Sequence, residues 1–378
     1  IDELILTQAR ELFLSLKEKV ELRQELFCSV RKLDVLQELI DDESVTEIMV
    51  NGPDQVFVET GGKIGRWEKS FESREQLEDL IQQIVSSVNR IVNTSTPLAN
   101  ARLSDGSRVH VVLEPIALNG PILTIRKFPE PVTMERLMEY GSISKEAADL
   151  LKTLVAARYN IFVSGGTGAG KTTLLNALSE FIPSGERVIT IEDAAELQLS
   201  HIENLVRLET RDANAEGAGA IGIGELIRAA LRMRPDRIIV GEVRGKEALD
   251  LLQSLNTGHD GGFSSGHANS VKDMLARLET MVLMAADLPL PAIRSQIASA
   301  VDVMVHVARM RDKTRKITAI EEVDRFENGE IILNPLFAFR ETKCPESRIG
   351  DRRKVEGSLE RVGALKHREK LRLAGYDV

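Results

Sequence analysis

The chain is nearly devoid of cysteine: Cys28 and Cys344 are the only two in 378 residues, far apart and without a C-x-x-C pair. That excludes a disulfide framework and a cysteine-ligated zinc site, and it suits a reducing cytoplasm. Aromatic residues make up 4% and the formal net charge is −9. A motor tracking along nucleic acid is expected to carry a basic surface and stacking aromatics, so nucleic acid is not an expected partner. No apolar run approaches the length that spans a bilayer, and no signal peptide is expected from the opening residues, which start at Ile1 rather than Met. What remains, 43% hydrophobic and 28% charged residues, is a globular composition with length for two or three domains.

Several of the glycines gather where phosphate chemistry needs them. Residues 165–172 read Gly-Gly-Thr-Gly-Ala-Gly-Lys-Thr, a complete G-x-x-x-x-G-K-[ST] phosphate-binding loop. The apolar run at 159–164 predicts a buried strand before it, and the spacing at 173–178 predicts a helix after it. In that setting the glycines leave backbone N–H groups free to face a polyphosphate, and the helix N-terminus adds partial positive charge. Contacts to ATP are expected from Gly166, Thr167, Gly168, Ala169, Gly170, Lys171, Thr172 and Thr173. Lys171 is expected at the β- and γ-phosphates, and the Thr172 hydroxyl at Mg²⁺.

The rest of the pattern divides into four stretches. Residues 1–39 lack Pro and Gly and place Leu12, Leu16, Val20, Leu22 and Leu26 on a rough helical stripe, which predicts an N-terminal helical segment. Residues 40–130 read as an α+β domain. Strands at 47–50 and 55–59 flank the turn Asn51-Gly52-Pro53-Asp54, a helix runs over 73–92, and strands return at 107–113 and 122–128. Pro129-Glu130-Pro131 forms its exit linker. Over 131–340 strands and helices alternate, which predicts a doubly wound, parallel α/β sheet. Strands are expected at 187–191, 204–209 and 237–240, and helices at 223–233 and 245–255. Ser270 and Asp273 form a capping box that opens another helix, and strands at 301–307, 316–323 and 331–337 close the sheet. Residues 341–378 are charged, weakly periodic, and read as a peripheral tail.

A phosphate loop needs a carboxylate at the end of a neighbouring strand. Glu242 follows the apolar run Ile238-Ile239-Val240-Gly241 and is placed to order water and hold hydrated Mg²⁺; the bland alternative is a surface ion pair with Arg244. A second acidic group, Glu192-Asp193-Ala194-Ala195-Glu196, also follows a strand. Either Glu196 or Glu192 is a candidate general base, and sequence alone does not separate them. His259 and His267 lie in a glycine-dense segment before the capped helix. A γ-phosphate sensor is expected at His267 and a structural hydrogen bond at His259. Arginines that could meet developing negative charge are Arg102, Arg108 and Arg126 in the first domain and Arg207 and Arg211 in the second.

Taken in order, these boxes resemble the type II/IV secretion ATPase superfamily. The phrases Arg232-Met233-Arg234-Pro235-Asp236-Arg237 and Arg277-Leu278-Glu279-Thr280-Met281, with residues 42–52 and 105–128, resemble its CpaF group, the motor ATPases of tight-adherence (Tad) pili. The resemblance covers about residues 40–340. It implies a RecA-like P-loop core behind a PAS-like α+β domain, a cytoplasmic homohexamer, and an inner-membrane platform protein as partner. It further implies that ATP closes the two domains on each other and that Arg108 and Arg126 act as clamping arginines, powering pilus assembly, with retraction left open. A type IV secretion or conjugation ATPase is the alternative within the superfamily, and a RecA-like nucleic-acid translocase the alternative outside it. Ser264-Ser265-Gly266-His267 departs from relatives that carry a threonine there but keeps a hydroxyl. The cysteine tetrad of type II secretion and type IVa assembly motors is missing.

Overall fold

The computed structural model describes residues 33–88, 90–128, 131–211, 213, 218–342 and 355–376. Most of the expected N-terminal helical segment, both cysteines, and Pro129 and Glu130 of the expected linker lie outside the described residues. The chain divides into two compact units, one ending at residue 130 and the other beginning at Pro131.

In the first unit, six strands form one antiparallel sheet. They are β1 (Val45–Asn51), β2 (Val56–Thr60), β3 (Lys63–Arg66), β4 (Leu98–Arg102), β5 (Arg108–Val112) and β6 (Ile122–Arg126), in the order β3-β2-β1-β6-β5-β4. Alternation sends Ile48, Val50, Val109, Val111, Leu123 and Ile125 to one face. A short helix, α1 (Gln37–Asp41), precedes β1. Helix α2 (Arg74–Ser87) contributes Leu77, Leu80, Ile81, Ile84 and Val85 to the same core, and the Ser73 hydroxyl caps it by accepting from Gln76 N–H. The helix stops short of the expected residue 92. Asn93 Oδ1 accepts from the N–H groups of Ser95 and Thr96, a local turn that competes with helical bonding.

The second unit is a mixed sheet of nine described strands. Its parallel half contains β7 (Ile161–Gly165), β8 (Arg187–Glu192), β9 (Asn204–Glu209), β10 (Arg237–Val240), β11 (Phe263–His267) and β12 (Val303–Arg309). The full order is β15-β14-β13-β12-β7-β11-β10-β8-β9. Every residue of β7 is buried, with Ile161 and Val163 in one core and Phe162 in the other. A central parallel strand is covered on both faces, so an unbroken apolar run is what it requires. One cover comes from α3 (Met134–Glu139), α4 (Lys145–Ala156) and α5 (Lys171–Ser179). The other comes from α6 (Ile223–Ala230), α7 (Glu247–Leu255), α8 (Val271–Ala285) and α9 (Leu290–Ala300). Helix α6 ends three residues before the expected Met233, and Arg234, ahead of Pro235, takes a left-handed φ of 57° that a continuing helix does not allow.

Two expectations need correction. The closing strands are an antiparallel extension rather than more of the parallel sheet: β13 (Arg315–Glu327) and β14 (Glu330–Glu341) form a hairpin on β12 through Asn328-Gly329, both with positive φ. The described part of the supposed peripheral tail is integral to the unit. Strand β15 (Gly357–Arg361) pairs with β14, and Leu359, Leu365 and Leu371, the last on α10 (Glu369–Leu373), are buried in the main core.

Polar groups fasten this last segment. Glu322, 1% exposed, accepts from the backbone N–H groups of Lys366 and His367 and from Asn334 Nδ2. Lys370 Nζ lies 2.8 Å from Asp260 Oδ1 and 2.7 Å from Asp302 Oδ2. Asp302 Oδ2 also accepts from Asn160 N–H, while Asn160 Oδ1 accepts from the N–H groups of Gly261 and Gly262. The starts of β7, β11 and β12 are thereby joined at the end of the sheet opposite the phosphate loop. Glu322→Ala removes the buried acceptor that three part-buried donors share. It is expected to cost about 3 kcal/mol of unfolding free energy in urea titrations, far more than the exposed Glu360→Ala.

Candidate nucleotide site

The loop after β7 emerges between β11 and β12, whose carboxyl ends flank it. Gly168 and Gly170 hold φ of 68° and 98°, and Gly170 is the N-cap of α5. A side chain at Gly165 would come within 2.3 Å of the Val307 carbonyl, so the loop cannot leave β7 with a larger residue there. Gly166, Thr167 and Gly168 are exposed, and Ala169 is 1% exposed. The first N–H groups of α5, at Lys171, Thr172 and Thr173, have no intrahelical acceptor and face the mouth of the loop.

Lys171 is only 8% exposed. Its ammonium lies 3.3 Å from the carbonyls of Gly165 and Gly166 and 3.2 Å from His267 Nδ1. Burial lowers its pKa from the usual lysine value, and the charge of Glu242 opposes that shift. His267, the last residue of β11, sits between two charged groups, with Nε2 2.8 Å from Glu242 Oε1. Burial also lowers the imidazole pKa, so the ring is neutral near pH 7. With the ammonium at Nδ1, its proton belongs on Nε2. The approach to Glu242 is oblique, and the buried Oε1 is left without a full hydrogen bond.

Glu242 thus has two contacts. Arg244 Nη2 donates to Oε2 at 2.9 Å, and the other guanidinium nitrogen lies 3.7 Å from Asp193. The surface-pair alternative is therefore present in the molecule, but it engages one oxygen and leaves the other turned toward His267 and Lys171. The residues fit a magnesium-bound triphosphate: an orphaned buried carboxylate oxygen, a desolvated ammonium and a helix N-terminus with the Thr172 hydroxyl converge there.

Of the acidic-box candidates, Glu192 is 4% exposed and accepts from the N–H groups of Glu196 and Leu197. A Cβ on Gly241 would meet its Cγ at 2.9 Å, so Glu192 lies packed under the turn that carries Glu242. Glu196 is half-buried on the same loop. Arg207 donates to the carbonyls of Ala195 and Leu197, bracing this loop, and Arg211 donates to the Gly219 carbonyl. His259 Nδ1 is 3.4 Å from the Thr257 hydroxyl, at the far end of β11 from His267. In the first unit, Arg102, Arg108 and Arg126 are direct cross-strand partners, one row across β4, β5 and β6. Local pattern misses Arg315, which enters β13 and donates from Nε to the Gly168 carbonyl at 2.9 Å. It comes from a hairpin almost 150 residues beyond the loop, and no local signal marks it.

A strand-loop-helix phosphate site at the carboxyl edge of a parallel sheet, with a strand-end carboxylate beside it, defines a P-loop ATPase with a RecA-like core. More particularly, residues 30–361 match the Type II/IV secretion system protein family, and the chain belongs to it. It is 39% identical over 293 residues to a putative conjugal transfer protein of Mycobacterium tuberculosis, covering 76% of this chain and 83% of that one. It is 34% identical to a type IV secretion system protein PtlH homolog of Bordetella bronchiseptica, covering 73% and 89%. In fold it is similar to the Legionella pneumophila ATPase DotB, with a TM-score of 0.55 at 20% identity over 76% of this chain and 80% of that one. Among the described residues, no helix is long and apolar enough to cross a membrane.

Burial pushes the Glu192 carboxyl up to about 7 from 4.5, against backbone donors that favour its charged form. The folded protein therefore binds this proton more tightly than the unfolded chain. Its contribution falls as pH rises from about 4.5 through about 7, by on the order of 3 kcal/mol. Urea titrations at pH 5 and pH 8 are expected to show that loss, and Glu192→Gln is expected to flatten it.

Proposed function

We propose that the chain is a homohexameric ATPase at the cytoplasmic face of a membrane machine, and that hydrolysis drives motion between its two units. The observation that carries this reading is the close grouping of Lys171, His267 and Glu242 at the mouth of the phosphate loop. Lys171 neutralises charge that builds on the β- and γ-phosphates. Glu242, steadied through Oε2 by Arg244, orients water with Oε1. His267 touches both groups and so senses whether a γ-phosphate stands between them. Thr172 would hold Mg²⁺ directly and Glu242 through water, and the ion would supply positive charge to the phosphate oxygens.

Glu192 serves the turn under Gly241 rather than proton transfer, and Glu196 remains the acidic-box candidate nearer the surface. Arg108 and Arg126 supply the further cations that the family resemblance implies. They stand opposite one another in register on β5 and β6.

The work performed is proposed to be assembly of a Tad or type IV-like pilus through an inner-membrane platform protein, with retraction the other direction such a motor can run. Support comes from the CpaF-like phrases at 232–237 and 277–281. A second reading, type IV secretion or conjugal transfer, is supported by the names of the relatives from Mycobacterium tuberculosis and Bordetella bronchiseptica. Disrupting the gene in its host separates them: loss of surface pili with conjugation and effector export intact supports the first, and the reverse supports the second.

In vitro, Lys171→Ala and Glu242→Ala are each expected to lower phosphate release at least about 100-fold. The Glu242 variant should still bind a fluorescent ATP analogue and the Lys171 variant should bind it poorly. Wild-type turnover in Glu242→Ala would remove its water-orienting role.

A further inference from the structure

On the side of the phosphate loop away from His267, an arginine lies along the loop's back. Arg315 donates from Nε to the Gly168 carbonyl at 2.9 Å, and its Cδ is 3.2 Å from where a side chain on Gly170 would begin. In an anion-binding nest the N–H groups turn toward the ligand and the carbonyls turn away. An arginine bonded to the Gly168 carbonyl therefore stands behind the nest, not among its phosphate donors. The residue is exposed and, among the described residues, has no carboxylate partner.

The backbone beneath it is fastened. The Ser142 hydroxyl donates to the Arg315 carbonyl at 2.7 Å, Ile317 N–H donates to the Ser142 carbonyl at 2.9 Å, and Lys316 Nζ donates to the Gly141 carbonyl at 2.8 Å. These bonds tie the start of β13 to the turn between α3 and α4. With its root fixed there and Nε fixed to the loop, the guanidinium is held at both ends. Little side-chain freedom remains to be lost when a ligand meets it.

Beside Arg315 lies a recess of about 30 Å³, lined by Leu137, Thr173, Leu174, Val307 and Ile317. That is room for the edge of a ring, with the rest of the ring lying over the mouth. Leu174, Val307 and Ile317 are buried, and the Ser142 hydroxyl that also borders the recess is engaged by the Arg315 carbonyl. A mostly apolar floor thus adjoins a flat, uncompensated cation.

The direction of a bound nucleotide follows from the groups already in place. Its γ-phosphate end points at Glu242 and His267, which come from β10 and β11 on one side of β7. Its nucleoside end then leaves the loop on the other side, past the first turn of α5, where β12 and β13 lie. Thr173 of that first turn borders the recess.

We propose that Arg315 and this recess form the nucleobase subsite: the guanidinium plane stacks on the ring while the ring's edge covers the apolar floor. The inference rests on the reading that the phosphate loop binds a nucleoside triphosphate. Arg315 touches neither the γ-phosphate nor the attacking water, so it sets affinity and leaves the chemical step alone. Stacking uses the face of a base, so adenine and guanine depend on Arg315 alike.

Calorimetric titration of the intact chain with the magnesium complexes of ATP, GTP and tripolyphosphate tests this, since the last carries phosphates without a base. Arg315→Ala is expected to weaken ATP and GTP about tenfold and to leave tripolyphosphate within about twofold. In turnover, KM for ATP should rise by a similar factor, with kcat within about twofold. An equal loss for tripolyphosphate would show that Arg315 serves the phosphates or the shape of the loop, and unchanged ATP binding would show that it serves no ligand there; either overturns the proposal. Photolabelling with 8-azido-ATP, followed by peptide mass spectrometry, locates the base independently of affinity. Label is expected in peptides carrying residues 137–142, 173–174 or 315–317 and should vanish with excess ATP; label confined to other peptides overturns the subsite. If the wild-type chain binds neither ATP nor tripolyphosphate, the reading of the loop fails. If it binds both equally and Arg315→Ala changes neither, that reading stands and only the base subsite falls.

Discussion

An ammonium group taken largely out of water sets the terms for the whole nucleotide unit. Removing Lys171 from solvent disfavours its charge, and the fold answers with carbonyls from the loop, a neutral imidazole and a carboxylate beyond it. Each partner comes from a different element. The carbonyls require glycines that turn the chain back on itself, the imidazole requires β11 to end beside β7, and the carboxylate requires β10 to end one strand further on. The strand order is thus what electrostatic compensation at one lysine needs.

Much of this was legible because it is local. The phosphate loop, β9 and the Ser270 cap follow from runs of a few residues, and their positions agree with the periodic reading. Element ends were less legible wherever a side chain competes with the backbone, as at Asn93, or the backbone turns left-handed, as at Arg234. The last segment failed for another reason. Leu359 lies on a strand, Leu365 between elements and Leu371 on a helix, so no single period marks them and their burial appears only once β14 and the Glu322 carboxylate are in place.

Within the site, sequence found groups that stand next to a strand end and missed groups that arrive from elsewhere. Glu242 and His267 carry their own local context. Arg315 does not, since an arginine among charged hairpin residues looks ordinary until β13 is carried by β12 to the side of the phosphate loop. Glu192 and Glu196 could not be told apart because the difference is burial: one is sealed under a turn and the other lies nearer its rim. That distinction belongs to three-dimensional packing and leaves no trace in spacing.

The Lys370 junction has a practical consequence. Helix α10 grips Asp260 and Asp302, immediately upstream of the two strands whose opposite ends frame the phosphate loop. Anything fused beyond α10 therefore hangs from a lever whose far arm is the catalytic edge, and a bulky affinity handle or fluorophore there would load the strands it was meant to report on. Labels belong at Asn328 on the hairpin tip instead, where the position is exposed and the tug is borne by β13 and β14.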